Sequence, residues 1–253
     1  MVVKVPRGYE GVFEGSSGLL ELPSVGVRVL RRVAERAEVL QQLRHPHIVR
    51  LLGYGSRFPV LVYEYAGLGS LEYQLARGWE PGGVGEVLLL AYGIADALRY
   101  IHSRGLVHGD IKPGNLFVFE PGVVKLGDFS GIRRLLARAS SRSSMHYTVG
   151  WRAPEQVDLL NLARRSKEPG YENRVDVYQL GNLILYLLTG ETIDGEDLLI
   201  DGPKVVEEAL EGVEDDQLRK LLKAMMVDEP WKRPSSEEAA KILGWLASKR
   251  RKG

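Results

Sequence analysis

His108-Gly109-Asp110-Ile111-Lys112-Pro113-Gly114-Asn115-Leu116 is the stretch on which the reading of this 253-residue chain turns. A Lys stands two positions after the Asp and an Asn five positions after it. A carboxylate at Asp110 can orient a hydroxyl and take its proton, an ammonium at Lys112 can steady a transferring phosphoryl group, and an amide at Asn115 can hold a metal ion. Thirteen residues past Asn115 comes Asp128-Phe129-Ser130-Gly131, with a second carboxylate where a further metal ligand is needed. Trp151-Arg152-Ala153-Pro154-Glu155 follows. One solvated Asp beside one solvated Lys is ordinary on any loop; the ordered series gives the stretch its meaning.

Composition bounds the rest. With 26% charged and 44% hydrophobic residues, the chain reads as a soluble globular protein large enough for one or two cores. A net charge of +1 argues against a dedicated nucleic-acid binder, which is far more basic. No apolar run approaches the roughly 18 to 20 residues needed to span a bilayer, and Met1-Val2-Val3-Lys4-Val5-Pro6 lacks the apolar core of a signal peptide. Without cysteine there is neither a disulfide nor a thiolate metal site. The expectation is a cytoplasmic protein with no membrane or nucleic-acid partner. Its oligomeric state is not legible.

Along the chain, short β-type runs come first: Val2–Val5, Gly11–Glu14, Leu19–Leu22 and Val25–Leu30, with a turn at Ser16-Ser17-Gly18. A helix is predicted next, from Val33, Ala37, Leu40 and Leu43 on one stripe. Val49–Leu52 and Val60–Tyr65 read as two more strands. After Ala66 the pattern turns helical over Val87–His102, Val175–Leu188 and Asp215–Val227. The order is a small strand-rich part followed by a larger helical one.

This series resembles the eukaryotic-type protein kinases over about Leu40 to Leu243, with Lys112 placed as in the Ser/Thr-specific members. The resemblance implies an α+β, two-lobed protein kinase fold. Residues 1–65 would form a small antiparallel β-sheet lobe with one helix, and residues 66–253 a larger, mostly helical lobe. It also implies transfer of a phosphoryl group from ATP, with Mg²⁺, to a Ser or Thr hydroxyl of a protein substrate. Asp110, Lys112 and Thr148 take the catalytic roles, Thr148 bridging the Asp and the Lys. Asn115 and Asp128 take the metal. His108 packs beneath Phe129, Glu155 pairs with Arg233 in a buried ion pair, and Asp176 accepts N–H bonds from the catalytic loop. Gly109 departs from the family, where an Arg pairs with an activation-loop phosphate. Phosphorylation among Ser140, Ser141, Ser143, Ser144 and Tyr147 has therefore lost one route to activating the protein. Ser130 replaces a Gly, which makes a backbone flip there harder.

ATP binding is expected from Gly8, Gly11 and Val12 of a degenerate Gly-rich hairpin, from Glu64 and Ala66 at the hinge after Tyr63, and from Phe117. The third-strand Lys is missing from its usual place, since Lys4 is the only Lys before Lys112. Two alignments compete. In one, Val25-Gly26-Val27-Arg28 is the strand and Arg28 takes the role of the Lys. In the other, Leu19-Leu20-Glu21 is the strand and Ser24 caps a helix from Val25 to Leu43. Glu21 and Arg36 then form the pair with charges exchanged. Gly26 inside a helix costs about 1 kcal/mol, which favours the first. Two other functions compete with protein phosphorylation. The missing Lys and glycines suit a pseudokinase scaffold. The His-Gly-Asp spelling suits a small-molecule kinase, although Glu155, Arg233 and Asp176 count against that.

Overall fold

The computed structural model describes residues 1–4, 27–55, 59–134, 148–158 and 173–250. The first sheet has three antiparallel strands in the order β1 (Val2–Lys4), β3 (Leu61–Tyr63), β2 (Leu51–Tyr54). Its central strand β3 pairs Val62 with Val3 on one side and Tyr63 with Leu51 on the other. Against this sheet lies α1 (Val27–Gln41), whose Val33, Ala37 and Leu40 recur at helical spacing and are buried, as is Leu43 just past its end.

The start of α1 corrects the sequence reading. Val27 to Leu30 are helical, so the strand expected over Val25–Leu30 is absent, and Arg28 sits in the first turn of a helix. The alternation of valines that suggested a strand is equally the start of the 3.6-residue stripe that continues through Val33 and Ala37. Gly26, whose cost inside a helix weighed against this arrangement, precedes the first described helical residue.

From α2 (Leu71–Ala76) onward the architecture is mostly helical. Ser70 caps α2 by accepting from Tyr73 N at 3.1 Å. The long helices are α3 (Val84–His102), α5 (Arg174–Thr189) and α9 (Ser236–Arg250), with α8 (Asp216–Met225) beside α5. α5 is buried on nearly every face, as its run of Leu, Ile and Val requires, and it ends at Gly190 with φ of 80°. α9 lies closely along α3. A Cβ on Gly244 would come within 2.9 Å of the Tyr92 ring, so a glycine sits at that contact. The shorter helices are α4 (Pro154–Val157), α6 (Gly195–Asp201) and α7 (Lys204–Ala209).

Two short antiparallel pairings present the loops of interest. β4 (Leu106–Val107) pairs with β7 (Arg133–Arg134), and β5 (Leu116–Glu120) with β6 (Val123–Leu126). The stretch His108–Asn115 therefore joins β4 to β5, and Asp128 lies between β6 and β7. Small antiparallel sheets and a larger helical part make the fold α+β, as expected for a two-lobed kinase.

Candidate active site

Asp110 is the centre of a four-residue cluster. Its Oδ1 accepts from Thr148 Oγ1 at 3.2 Å, and its Oδ2 from Asn115 Nδ2 at 2.7 Å. Lys112 Nζ stands 3.1 Å from the same Oδ2 and also donates to the Thr148 hydroxyl. Asn115 Nδ2 further donates to the Asp110 carbonyl at 2.7 Å, which closes the loop on itself. A 3₁₀ turn over Pro113–Asn115, started by the proline, sets the direction of Asn115. Asp110 and Lys112 are half-buried, and Asn115 is buried. The expected catalytic residues and one expected metal ligand are thus within hydrogen-bond reach of one carboxylate.

Below the cluster the loop is tied to α5. Asp176, fully buried, accepts from His108 N at 2.9 Å, Gly109 N at 2.6 Å and His102 Nε2 at 2.8 Å. Burial alone pushes its carboxyl up. The His102 ring and the backbone N–H of His108 outweigh that and hold it below the usual carboxylate range. Gln179, one turn along, accepts from Ile111 N at 2.9 Å and donates to Gly109 O at 3.2 Å. Gln156 donates to the same carbonyl at 2.9 Å. Gly109 has φ of 79°, a torsion glycine adopts without cost, which accounts for a glycine between His108 and Asp110.

Asp128 is the only non-glycine with positive φ among the described residues, at φ 45° and ψ 63°. Strained torsions of this kind concentrate at functional sites. Its carboxylate accepts from Ser130 N at 3.2 Å, and Phe129 to Gly131 form a 3₁₀ turn. Phe129 meets His108 edge-on with centroids 5.1 Å apart, while His108 Nε2 lies 2.9 Å from Gly127 O. A Cβ on Gly127 would fall 2.7 Å from the Phe117 ring and 2.9 Å from Val49, so the residue before Asp128 has to be small.

Among the described residues no group of three or more His, Cys, Asp and Glu side chains could hold a metal ion alone. The donor set fits Mg²⁺ nonetheless, because that ion is usually held by one or two carboxylates with substrate phosphates and water completing its shell. Asn115 can join such a shell. Its amide nitrogen faces two acceptor oxygens of Asp110, so the amide oxygen is the side chain's acceptor for a cation.

At the expected hinge, Glu64 N donates to Arg50 O at 3.0 Å, and Glu64 Oε1 accepts from Arg50 N and Lys125 Nζ, both at 2.8 Å. Burial pushes the Tyr63 hydroxyl up to about 12, with Arg36 pulling it down and Asp128 pushing it up. Gly8, Gly11, Val12 and Glu21 lie outside the described residues. Arg28 has lost the strand that gave it the role of the missing Lys. Lys4, set aside in the sequence, belongs to β1 and is register-paired with Leu61, two residues before Tyr63.

The segment after Thr148 is held twice. Glu155 and Arg233 form a bidentate pair at 2.6 and 2.9 Å, with the Arg233 side chain fully buried. Arg233 also donates to the carbonyls of Val227, Arg174 and Asp228. Asp194 accepts from Gly150 N at 2.6 Å and contacts Arg152 Nη2 at 2.7 Å. Burial raises the Asp194 carboxyl, but the bond from Arg152 and three backbone N–H groups bring it below its ordinary value.

Residues 25–246 match the protein kinase domain family. The chain belongs to that family. It is 35% identical over 151 residues to the human serine/threonine-protein kinase TAO2, covering 59% of this chain and 11% of that protein. To the salt tolerance receptor-like cytoplasmic kinase 1 of Oryza sativa subsp. japonica it is 35% identical over 203 residues, 73% of this chain and 54% of that protein. Serine/threonine-protein kinase 1 of Arabidopsis thaliana is 36% identical over 146 residues, 57% of this chain and 16% of the relative. The chain spans little more than half of the rice relative and far less of the others.

Proposed function

We propose that this chain is a Ser/Thr protein kinase that transfers the γ-phosphoryl group of ATP to a hydroxyl of a protein substrate. The observation that carries the reading is the Asp110 carboxylate gripped at once by Lys112, Asn115 and Thr148. In that grip Asp110 accepts the proton of the incoming hydroxyl. Lys112, already beside it, neutralises charge on the transferring group. Thr148 begins the segment braced by Asp194 and Glu155, which holds the peptide near Asp110. Asn115 and Asp128 would hold Mg²⁺, which neutralises phosphate charge when bound. The Glu64–Ala66 backbone and Phe117 would take the adenine.

The reading keeps the lobe boundary at residues 65 and 66 and a cytoplasmic setting. Among the described residues no helix is long and apolar enough to cross a membrane. Nucleotide binding followed by thermal shift, with and without Mg²⁺, tests the reading. Asp128→Ala should remove the metal-dependent part of the shift. Unchanged metal-dependent binding in that variant would refute the assignment.

A further inference from the structure

One arginine of the small lobe reaches into the site without a role in the reading above. Arg36, half-buried on α1, donates from Nη2 to the carbonyl of Ser130 at 2.8 Å, across 94 residues of sequence. We infer that Arg36 is a positioning residue for Asp128: by fixing the Ser130 peptide it sets the direction in which the Asp128 carboxylate is presented. The inference rests on the kinase reading of Asp128.

Ser130 is held from both sides. Its N–H donates to the Asp128 carboxylate at 3.2 Å, and its carbonyl accepts from Arg36. Rotating the turn therefore breaks both contacts together. The remaining face of the turn abuts the catalytic loop, since a Cβ on Gly131 would lie 3.3 Å from His108 O. Phe129 is packed on His108 beneath. The torsions of Asp128 are costly for a non-glycine residue and persist only where their surroundings impose them. Among those surroundings, Arg36 is one contribution from the small lobe. Its anchorage is firm because neighbouring Ala37, Val33 and Leu40 are in the core. Arg36 and Asp128 also act with opposite sign on the Tyr63 hydroxyl, so the three groups share one neighbourhood.

A guanidinium is well matched to this role. It stays charged, and its fork can serve one carbonyl while its other donors face elsewhere.

Isothermal calorimetry with ADP, with and without Mg²⁺, combined with amide hydrogen exchange across residues 129–131, tests the inference on the whole chain. Arg36→Ala should weaken Mg²⁺-dependent ADP binding about tenfold or more, the scale of one hydrogen bond to a charged group. Metal-free affinity should stay unchanged, and exchange over 129–131 should accelerate without nucleotide. Arg36→Lys should recover part of both effects, and it keeps the inference falsifiable should the alanine variant fold poorly. Asp128→Ala is the reference. If it abolishes the Mg²⁺ increment while Arg36→Ala alters neither increment nor exchange, the inference falls and the kinase reading stands. An equal loss with and without Mg²⁺ in Arg36→Ala also overturns it, because that marks direct phosphate binding. Should Asp128→Ala leave the increment intact, the kinase reading of Asp128 fails. Exchange in Arg36→Ala then still decides whether Arg36 holds the turn.

Discussion

Replacing Asp176 by Ala should separate the two duties of α5, core packing and support of the loop. The side chain is wholly buried and accepts three hydrogen bonds, two of them from backbone N–H groups of His108 and Gly109. A buried donor that loses its partner costs about 1–3 kcal/mol. Two such donors and a His102 Nε2 left without its acceptor outweigh the relief of no longer burying a carboxylate. The expected loss is therefore about 3–5 kcal/mol, the range for breaking a buried charged contact. At about 2–4 °C per kcal/mol for a domain of this size, Tm should fall by roughly 6–20 °C. The pH dependence has a definite sign. Because the folded carboxyl sits below its ordinary value of 3.8, its contribution is complete above that pH and disappears as pH falls through the folded value. The gap between wild type and Asp176→Ala, measured by urea denaturation, should thus be constant near neutrality and close below about pH 4. Transfer rate should fall about a hundredfold, since small displacements of a catalytic group cost that much. A stability loss under about 1 kcal/mol, or a gap that widens on acidification, would refute this account of the loop.

Glu155→Ala strands a fully buried guanidinium and should cost about 3–5 kcal/mol in chemical denaturation. Replacing both Glu155 and Arg233 with leucines should cost less than Glu155→Ala alone; the reverse order would deny the pair its role. Gly127→Ala drives a methyl into Phe117 and Val49, and denaturation should show a loss of about 1–3 kcal/mol. With Gly109 unable to grip a phosphate, changing Ser140, Ser141, Ser143, Ser144 and Tyr147 together to Ala or Phe should leave peptide phosphorylation near wild type. A large loss would show that loop phosphorylation is needed.

Much of the site was legible because its chemistry fixes residue type and spacing. Asp110, Lys112 and Asn115 are read from the loop between β4 and β5 and Asp128 from the loop after β6, and Glu155 with Arg233 and Asp176 from short motifs around them. The supports of that loop were less visible. Gln179 follows Asp176 by one helical turn, and Asn182, which donates to Gly150 O beyond Thr148 rather than to the loop, by another, as a polar stripe on an otherwise apolar buried helix. That stripe was a signal in the sequence, whereas His102 and Gln156 carry none, since their partners lie tens of residues away. Val25 to Leu30 misled for a local reason: alternating valines over six residues match a strand and a helix edge equally, and only the packing of Val33, Ala37 and Leu40 decides. The reach of Arg36 to Ser130 depends wholly on how α1 packs, which no local pattern specifies.

The central claim is tested most directly by phosphoryl transfer itself. Purified chain and its Asp110→Asn variant are incubated with γ-labelled ATP, Mg²⁺ and a mixed Ser/Thr protein acceptor, and label on protein is measured. The account predicts transfer by wild type, and loss of transfer in Asp110→Asn with nucleotide affinity retained. Equal labelling by both proteins, or nucleotide binding with no transfer by wild type to any protein acceptor, would contradict it.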